Sequence, residues 1–211
     1  MASFDPDCRA CPRLAAHLDE VKALEPDYHC RPVPPFGDPR PGLLIVGLAP
    51  GRDGANRTGR PFTGDHAGIL LYEMLHRHGF SSRPESVARD DGLVLQGARI
   101  TNAVKCLPPA NRPTAEEVRT CNPYLAAELQ ALPPGALVLA LGKVAHDAVL
   151  RACGMKLSAC RFAHGAEHVL TGGLRLLDSY HCSRYNTQTG RLTPAMFDAV
   201  FRRARALIPD E

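Results

Sequence analysis

The sequence predicts an α/β fold: a parallel sheet covered by helices on both faces. Three observations carry this. Short apolar runs alternate along the chain with segments of helical periodicity. Those runs, LLIVGL, ARITNAV, LVLAL and LRLLDSY, are leucine-rich or β-branched rather than cleanly alternating with polar residues, as expected of strands buried on both faces. Polar clusters follow on them, at the strand ends where open α/β sheets bind ligands.

The chain opens with a helical segment, CPRLAAHLDEVKAL, followed by a proline-rich loop through residue 41 and the first strand at 43–48. A helix is expected at 66–78, where Leu70, Leu71, Met74 and Leu75 follow helical spacing and Gly79 ends the run. The second strand is ARITNAV. Next, TAEE makes Thr114 a cap and closes a capping box with Glu117. Asn122-Pro123 offers a fresh cap and a first-turn proline, so Cys121 is expected at a break or kink. The strand LVLAL, the helix KVAHDAVLRAC, the strand LRLLDSY and a closing helix at 193–208 complete the order. No internal repeat or low-complexity tract intervenes, and residues 1–211 read as one domain.

With 211 residues and 45% hydrophobic content, the chain can bury a substantial core. Its longest apolar stretches are about seven residues, against the roughly 20 needed to span a bilayer, so no membrane partner is expected. The start, MASFDPDCRACPRL, has acids and prolines where an export signal needs positive charge and an apolar middle, and the expected compartment is the cytoplasm. Thiols stay reduced there, so the eight cysteines read as metal ligands and small buried hydrophobes. A net charge of +3 permits a nucleic-acid partner without requiring one. The placement of arginines says more: Arg52, Arg57 and Arg60 share one loop, Arg184 and Arg191 another, and both loops point to phosphate contacts.

The first of these loops, GLAPGRDGANRTGRPFTGD at 47–65, holds five glycines, two prolines and three arginines. Such a segment is not expected to continue a helix or to bury a side-chain core; it suits close approach of backbone to negative charge. No Gly-Lys-Ser/Thr closes it, which excludes a nucleotide-hydrolase P-loop. Four cysteines form a second constellation: Cys8 and Cys11 as C-x2-C, then Cys106 and Cys121 with 14 residues between them. Four thiolates suit zinc or an iron–sulfur cluster, and the alternative is cysteines that merely pack. Cys30, Cys153, Cys160 and Cys182 read as bystanders.

Taken together, CRACPRL, GLAPGRDGANRTGRPFTGD, TNAVKCLPPANRP and HCSRYNTQTGRLT, spanning residues 8–193, resemble the iron–sulfur branch of the uracil-DNA glycosylase superfamily, specifically family 5, the type B enzymes. The resemblance implies a three-layer α/β/α sandwich around a four-stranded parallel sheet. It also implies a structural [4Fe–4S] cluster on Cys8, Cys11, Cys106 and Cys121. The implied partner is DNA containing uracil or other deaminated bases, bound by a monomer that initiates base excision repair. Two departures stand out. Where family 4 reads G-E-A-P-G and its glutamate helps the attacking water, this chain has Leu48, in keeping with type B. Where the superfamily usually reads H-P-S, this chain has His181-Cys182-Ser183, losing a proline that would stiffen the loop.

A base inside a duplex is unreachable, so a glycosylase flips it into a pocket. Cleavage then leaves a cationic sugar and an anionic base. Asp65 is the carboxylate best placed for the sugar and the water, and His181 can donate to the developing oxyanion on the base. Phe62 offers a stacking surface and Asn102 a carboxamide that both donates and accepts, with Asn111 a rival for base contact. The backbone at Gly47, Ala49 and Gly51 completes the expected base site. Ser183, Arg184, Asn186 and Arg191 suit the DNA backbone. Asp65 could instead serve as a helix N-cap, and His181 as a packing histidine. A non-catalytic, metal-stapled nucleic-acid-binding domain is the alternative to an enzyme. No lysine sits at a motif centre for a Schiff-base step, Lys105 being the one to watch.

Overall fold

The computed structural model describes residues 4–208. Its sheet has six strands: β1 (Phe36–Gly37), β2 (Leu43–Gly47), β3 (Ala98–Asn102), β4 (Leu137–Leu141), β5 (Glu167–Val169) and β6 (Arg175–Ser179). They lie in the order β1-β3-β2-β4-β6-β5. The inner four are parallel and correspond to the four expected strands. The short β1 and β5 pair antiparallel on the two edges, so the four-stranded sheet is extended to a mixed one of six. At two and three residues, neither edge strand is long enough to give a period-two signal.

The helices are α1 (Pro12–Leu24), α2 (Ala55–Thr58), α3 (His66–Arg77), α4 (Ala115–Gln130), α5 (Lys143–Ala152), α6 (Arg184–Gln188) and α7 (Pro194–Leu207). Strand side chains alternate between two cores, as the pleat requires. Leu43, Ile45, Leu137, Leu139 and Leu177 pack with Leu71, Met74 and Leu75 of α3 and Phe197 and Phe201 of α7. Leu44, Val46, Val138, Ala140 and Leu176 pack with Leu125 of α4 and Ala145, Ala148 and Val149 of α5. β2 and β4 are buried along their whole length, each such aliphatic side chain contributing about 1.5–3 kcal/mol. Among the described residues, no helix is long and apolar enough to cross a membrane.

Two local expectations are corrected. The capping box at α4 is present: the Thr114 hydroxyl accepts from the Glu117 amide at 3.2 Å, and the Glu117 carboxylate from the Thr114 amide at 2.7 Å. But α4 runs on through Pro123 without the expected break. Asn122 does not cap; its amide donates to the Ala148 carbonyl on α5 at 2.9 Å, and burial of Cys121, Leu125 and Leu129 holds the helix whole. The glycine-rich loop is also less open than its composition implies. It forms the helical turn α2 and buries Asn56, Arg60, Phe62 and Thr63.

The chain runs from β2 outward to β3, then returns to β4 and continues to β6 on the other side. The carboxyl ends of β2 and β4 therefore flank the point where strand order reverses, and a crevice forms there in open α/β sheets.

Candidate active site

A cleft of about 560 Å³ opens over that point, lined among others by Leu48 after β2, Asn102 at the end of β3, Leu141 and Gly142 at the end of β4, and His181 beyond β6. Strand register brings these ends level, since Gly47 pairs with Asn102 and Leu141 with Ser179. Of the residues singled out from sequence, Ala49, Gly51, Phe62, Asp65, Asn102, His181, Ser183 and Arg184 all line the cleft. Gly47 lies beneath it: a Cβ there would come within 2.6 Å of the Phe62 ring and collide with the Asn102 carboxamide. Glycine at this position lets Phe62 and Asn102 lie against the strand.

Phe62 adopts φ +53°, a left-handed conformation that a bulky side chain rarely takes. Its ring stacks on His181, with centroids 5.8 Å apart and planes inclined by 28°. Burial lowers the His181 imidazole to about 4, so it is neutral at physiological pH. The His181 Nδ1 is buried and has no hydrogen-bond partner, and the same is true of Asn102 Oδ1. Two such orphaned atoms in one cleft are conspicuous, because buried polar groups are almost always paired.

Asp65 is the N-cap of α3, accepting from the Gly68 amide at 3.1 Å. Burial raises its carboxyl above the usual range, with the backbone amides of Gly68 and Ala67 acting in the other direction. Its carboxylate also lies against Gly51 and Gly54, which have no side chains to exclude it. Asp65 is thus at once the cap of α3 and part of the cleft wall. Asp65 and His181, 116 positions apart in the chain, face one hollow.

The other candidates lie elsewhere. Asn186 is off the cleft and braces it, its amide donating to the His181 carbonyl at 2.8 Å while Ser183 caps α6. Arg191 stacks its guanidinium 4.7 Å above the Tyr180 ring. Arg60 is withdrawn from any ligand: it is 3% exposed, paired with Asp91 at 2.5 Å and laid over Phe36. Arg57 donates to the Asp53 carbonyl at 2.6 Å and fastens the loop, whereas Arg52, paired with Glu25 at 3.3 Å, does line the cleft. Cys182, where the family's proline would stand, is wholly buried, and Asn186 braces both sides of it, its side-chain amide donating to the His181 carbonyl and its backbone amide to the Ser183 hydroxyl. Lys105 is buried against Glu128 at 2.7 Å, away from the cleft.

Sequence reasoning missed Lys143 and Val144 at the start of α5, which line the cleft. α5 has no side-chain N-cap, so its first-turn amides carry the positive end of the helix dipole. Their position straight after the strand LVLAL was the signal that could have found them. Asn111, the rival base contact, also lines the cleft, at φ +55° beside Ala110 at φ +52°.

Cys8, Cys11, Cys106 and Cys121 line a separate chamber of about 190 Å³. Burial, then Cys121 and the neighbouring acids and thiols, pushes Cys11 up to about 11; burial, then Cys121, Cys8 and Cys11, pushes Cys106 up to about 12. The Lys105 amide donates to the Cys121 sulfur at 3.3 Å. None of the eight cysteines is paired in a disulfide.

The description "Uracil DNA glycosylase superfamily" matches residues 34–205, and the chain belongs to that superfamily. Within it, the chain is similar to proteins named type-5 uracil-DNA glycosylase. One from Thermus thermophilus is 52% identical, over 95% of this chain and 93% of its own. One from Pyrobaculum aerophilum is 48% identical, over 95% and 88%, and one from Mycobacterium leprae 47% identical, over 95% and 91%.

Proposed function

We propose that this protein is a monofunctional uracil-DNA glycosylase, hydrolysing the N-glycosidic bond of uracil and of other deaminated bases in DNA to initiate base excision repair. The observation that carries the reading is the cleft itself, where Asp65, Phe62, Asn102 and His181 meet around two unpartnered buried polar atoms. An everted uracil stacks on Phe62. Its N3–H donates to the free Asn102 Oδ1, which no protein group satisfies.

As the bond to C1′ breaks, negative charge gathers on the base and positive charge on the sugar. A neutral His181 with its proton on Nδ1 donates to the base oxygen, and a preorganised donor of this kind contributes about 3 kcal/mol. The Asp65 carboxylate, held by its cap bonds, faces the cationic sugar and accepts a proton from the water that adds to C1′. The base departs as an anion and is protonated by solvent. Ser183, Arg184 and the first turn of α5 with Lys143 suit the flanking phosphates. Asn186 acts as a positioning residue through His181, and Arg191 meets the strand from outside the cleft.

The four-cysteine chamber fits an iron–sulfur cluster better than a single ion. Tetrahedral zinc at about 2.3 Å from each sulfur brings thiolates to about 3.8 Å of one another. No three of these sulfurs gather within 4.8 Å. Cys8, Cys11, Cys106 and Cys121 would hold a [4Fe–4S] group that links the N-terminal segment to the end of β3, so its contribution is structural. The chain acts as one domain and as a monomer in the cytoplasm, a reducing compartment that suits four cluster ligands and four further cysteines outside any disulfide.

The test is base release from a labelled uracil-containing oligonucleotide treated afterwards with alkali. The wild type should cleave at uracil, and Asp65→Ala and His181→Ala should not. Tight binding with no abasic product would instead identify a non-catalytic binder.

A further inference from the structure

His146 on α5, His168 on β5 and Asp178 on β6 meet outside the cleft. His146 Nδ1 lies 2.9 Å from one Asp178 oxygen and His168 Nε2 3.1 Å from the other. Asp178 is completely buried, His146 is 1% exposed, and His168 keeps a 14% opening to solvent. The second nitrogen of His146 lies 3.2 Å from the Cys160 carbonyl oxygen. His146 therefore faces an acceptor on each side. A neutral imidazole can donate to only one of them. With its proton given to Cys160, its Nδ1 lone pair faces the Asp178 carboxylate, and either a metal ion or a second proton on the ring completes the contact.

We propose that His146, His168 and Asp178 form a binding site for a divalent transition metal of the zinc type. Two imidazole nitrogens and one carboxylate are a three-ligand set for such an ion, leaving a fourth place for water entering beside His168. The Cys160 carbonyl on the outer nitrogen of His146 is the orienting partner that metal-bound histidines characteristically have. Ligand bonds of about 2.0–2.1 Å in a tetrahedron need separations of about 3.3 Å; the two nitrogen–carboxylate separations are 2.9 and 3.1 Å, and one ligand atom from each residue lies within 4.8 Å of the others. Phe162 packs its ring edge-on against His146 at 5.7 Å. An ion here would bind helix α5 and edge strand β5 to β6, three residues before His181.

Cobalt titration of the purified protein with its cysteine site filled tests this. The wild type should take up one Co²⁺ per chain, with visible d–d bands and no thiolate-to-cobalt charge transfer in the near ultraviolet, and zinc should displace it. His168→Ala, on the edge strand, should weaken binding at least about tenfold. His168→Cys should retain the metal and add the charge-transfer band, which reports ligation even if the alanine variant fails to fold. Absence of the nitrogen–oxygen spectrum in the wild type would overturn the proposal in favour of a proton shared between His146 and Asp178. So would binding unchanged in His168→Ala.

Discussion

Asp65 occupies the space that a side chain on Gly54 would fill: a Cβ at position 54 would lie 2.6 Å from the Asp65 carboxylate carbon. The glycine-rich loop and the helix cap are thus fitted to one another, and the fit fixes the direction of the only carboxylate in the cleft apart from Asp53.

Gly54→Ala should therefore act through Asp65. Displacing the carboxylate by about 1 Å costs on the order of 100-fold in rate when geometry is critical. The same shift weakens the cap by about 1 kcal/mol. Asp65→Asn separates the two roles, because asparagine caps nearly as well as aspartate but carries no charge. Single-turnover base release should fall at least about 100-fold in Asp65→Asn, while urea unfolding stays within about 0.5 kcal/mol of wild type. Equal losses of stability and rate would reduce Asp65 to a cap.

Asn102 yields a prediction of the opposite balance. Its buried Oδ1 has no partner, and an unsatisfied acceptor of this kind costs about 1–3 kcal/mol in the free protein. Asn102→Ala removes that cost along with the base contact. Base release should drop about 100-fold, with a melting temperature unchanged or higher than wild type. A variant that is both slow and strongly destabilised would mean that Asn102 holds the fold rather than the base.

The four parallel strands and the long helices were legible because each carries its own periodicity or cap. The Thr114 box and the run at Leu70–Leu75 needed no tertiary information. The continuity of α4 was not legible, because the side chain of Asn122 bonds to Ala148, a partner supplied by another helix. The cleft followed from the rule that strand ends converge, and motif residues came with it. What the motifs could not reveal was which arginines face outward. Arg60 looks like Arg184 in a string of letters, yet Asp91, 31 positions later, draws it into the interior. Lys143 lacked a motif and was missed for that reason.

The cysteine chamber predicts a dependence of stability on iron. Cys106 and Cys121 lie against the core that Leu14 of α1 also enters, so removing the shared ligand frees the N-terminal segment. Cys106→Ser should yield colourless protein. A loss of about 3 kcal/mol corresponds, for a chain of this size, to a melting temperature lower by about 6–12 °C. Limited proteolysis should cut first within residues 8–24 in that variant. Brown wild-type protein containing four irons per chain is the expected starting point, and a colourless wild type with one zinc would replace the cluster with an ion.

His181 gives the pH prediction. Its folded-state value of about 4 lies below the ordinary histidine value, because burial disfavours the charged ring. The unfolded chain therefore binds the extra proton first as pH falls. The stability associated with keeping His181 neutral is fully present above about pH 6.5 and is lost progressively down to about pH 4. Its size is up to about 3 kcal/mol at the acid end of that window. His29 and His164 are also lowered by burial and add slopes of the same sign, so the comparison must be with a variant. Urea unfolding from pH 4 to 7 should show a shallower slope in His181→Leu than in the wild type. If His181 donates to the base as proposed, the rate should show no titration of it between pH 5 and 8, because the ring is already neutral there. A wild-type rate that falls on a single ionisation near pH 6.5, absent from His181→Leu, would mean that the charged ring is the active form.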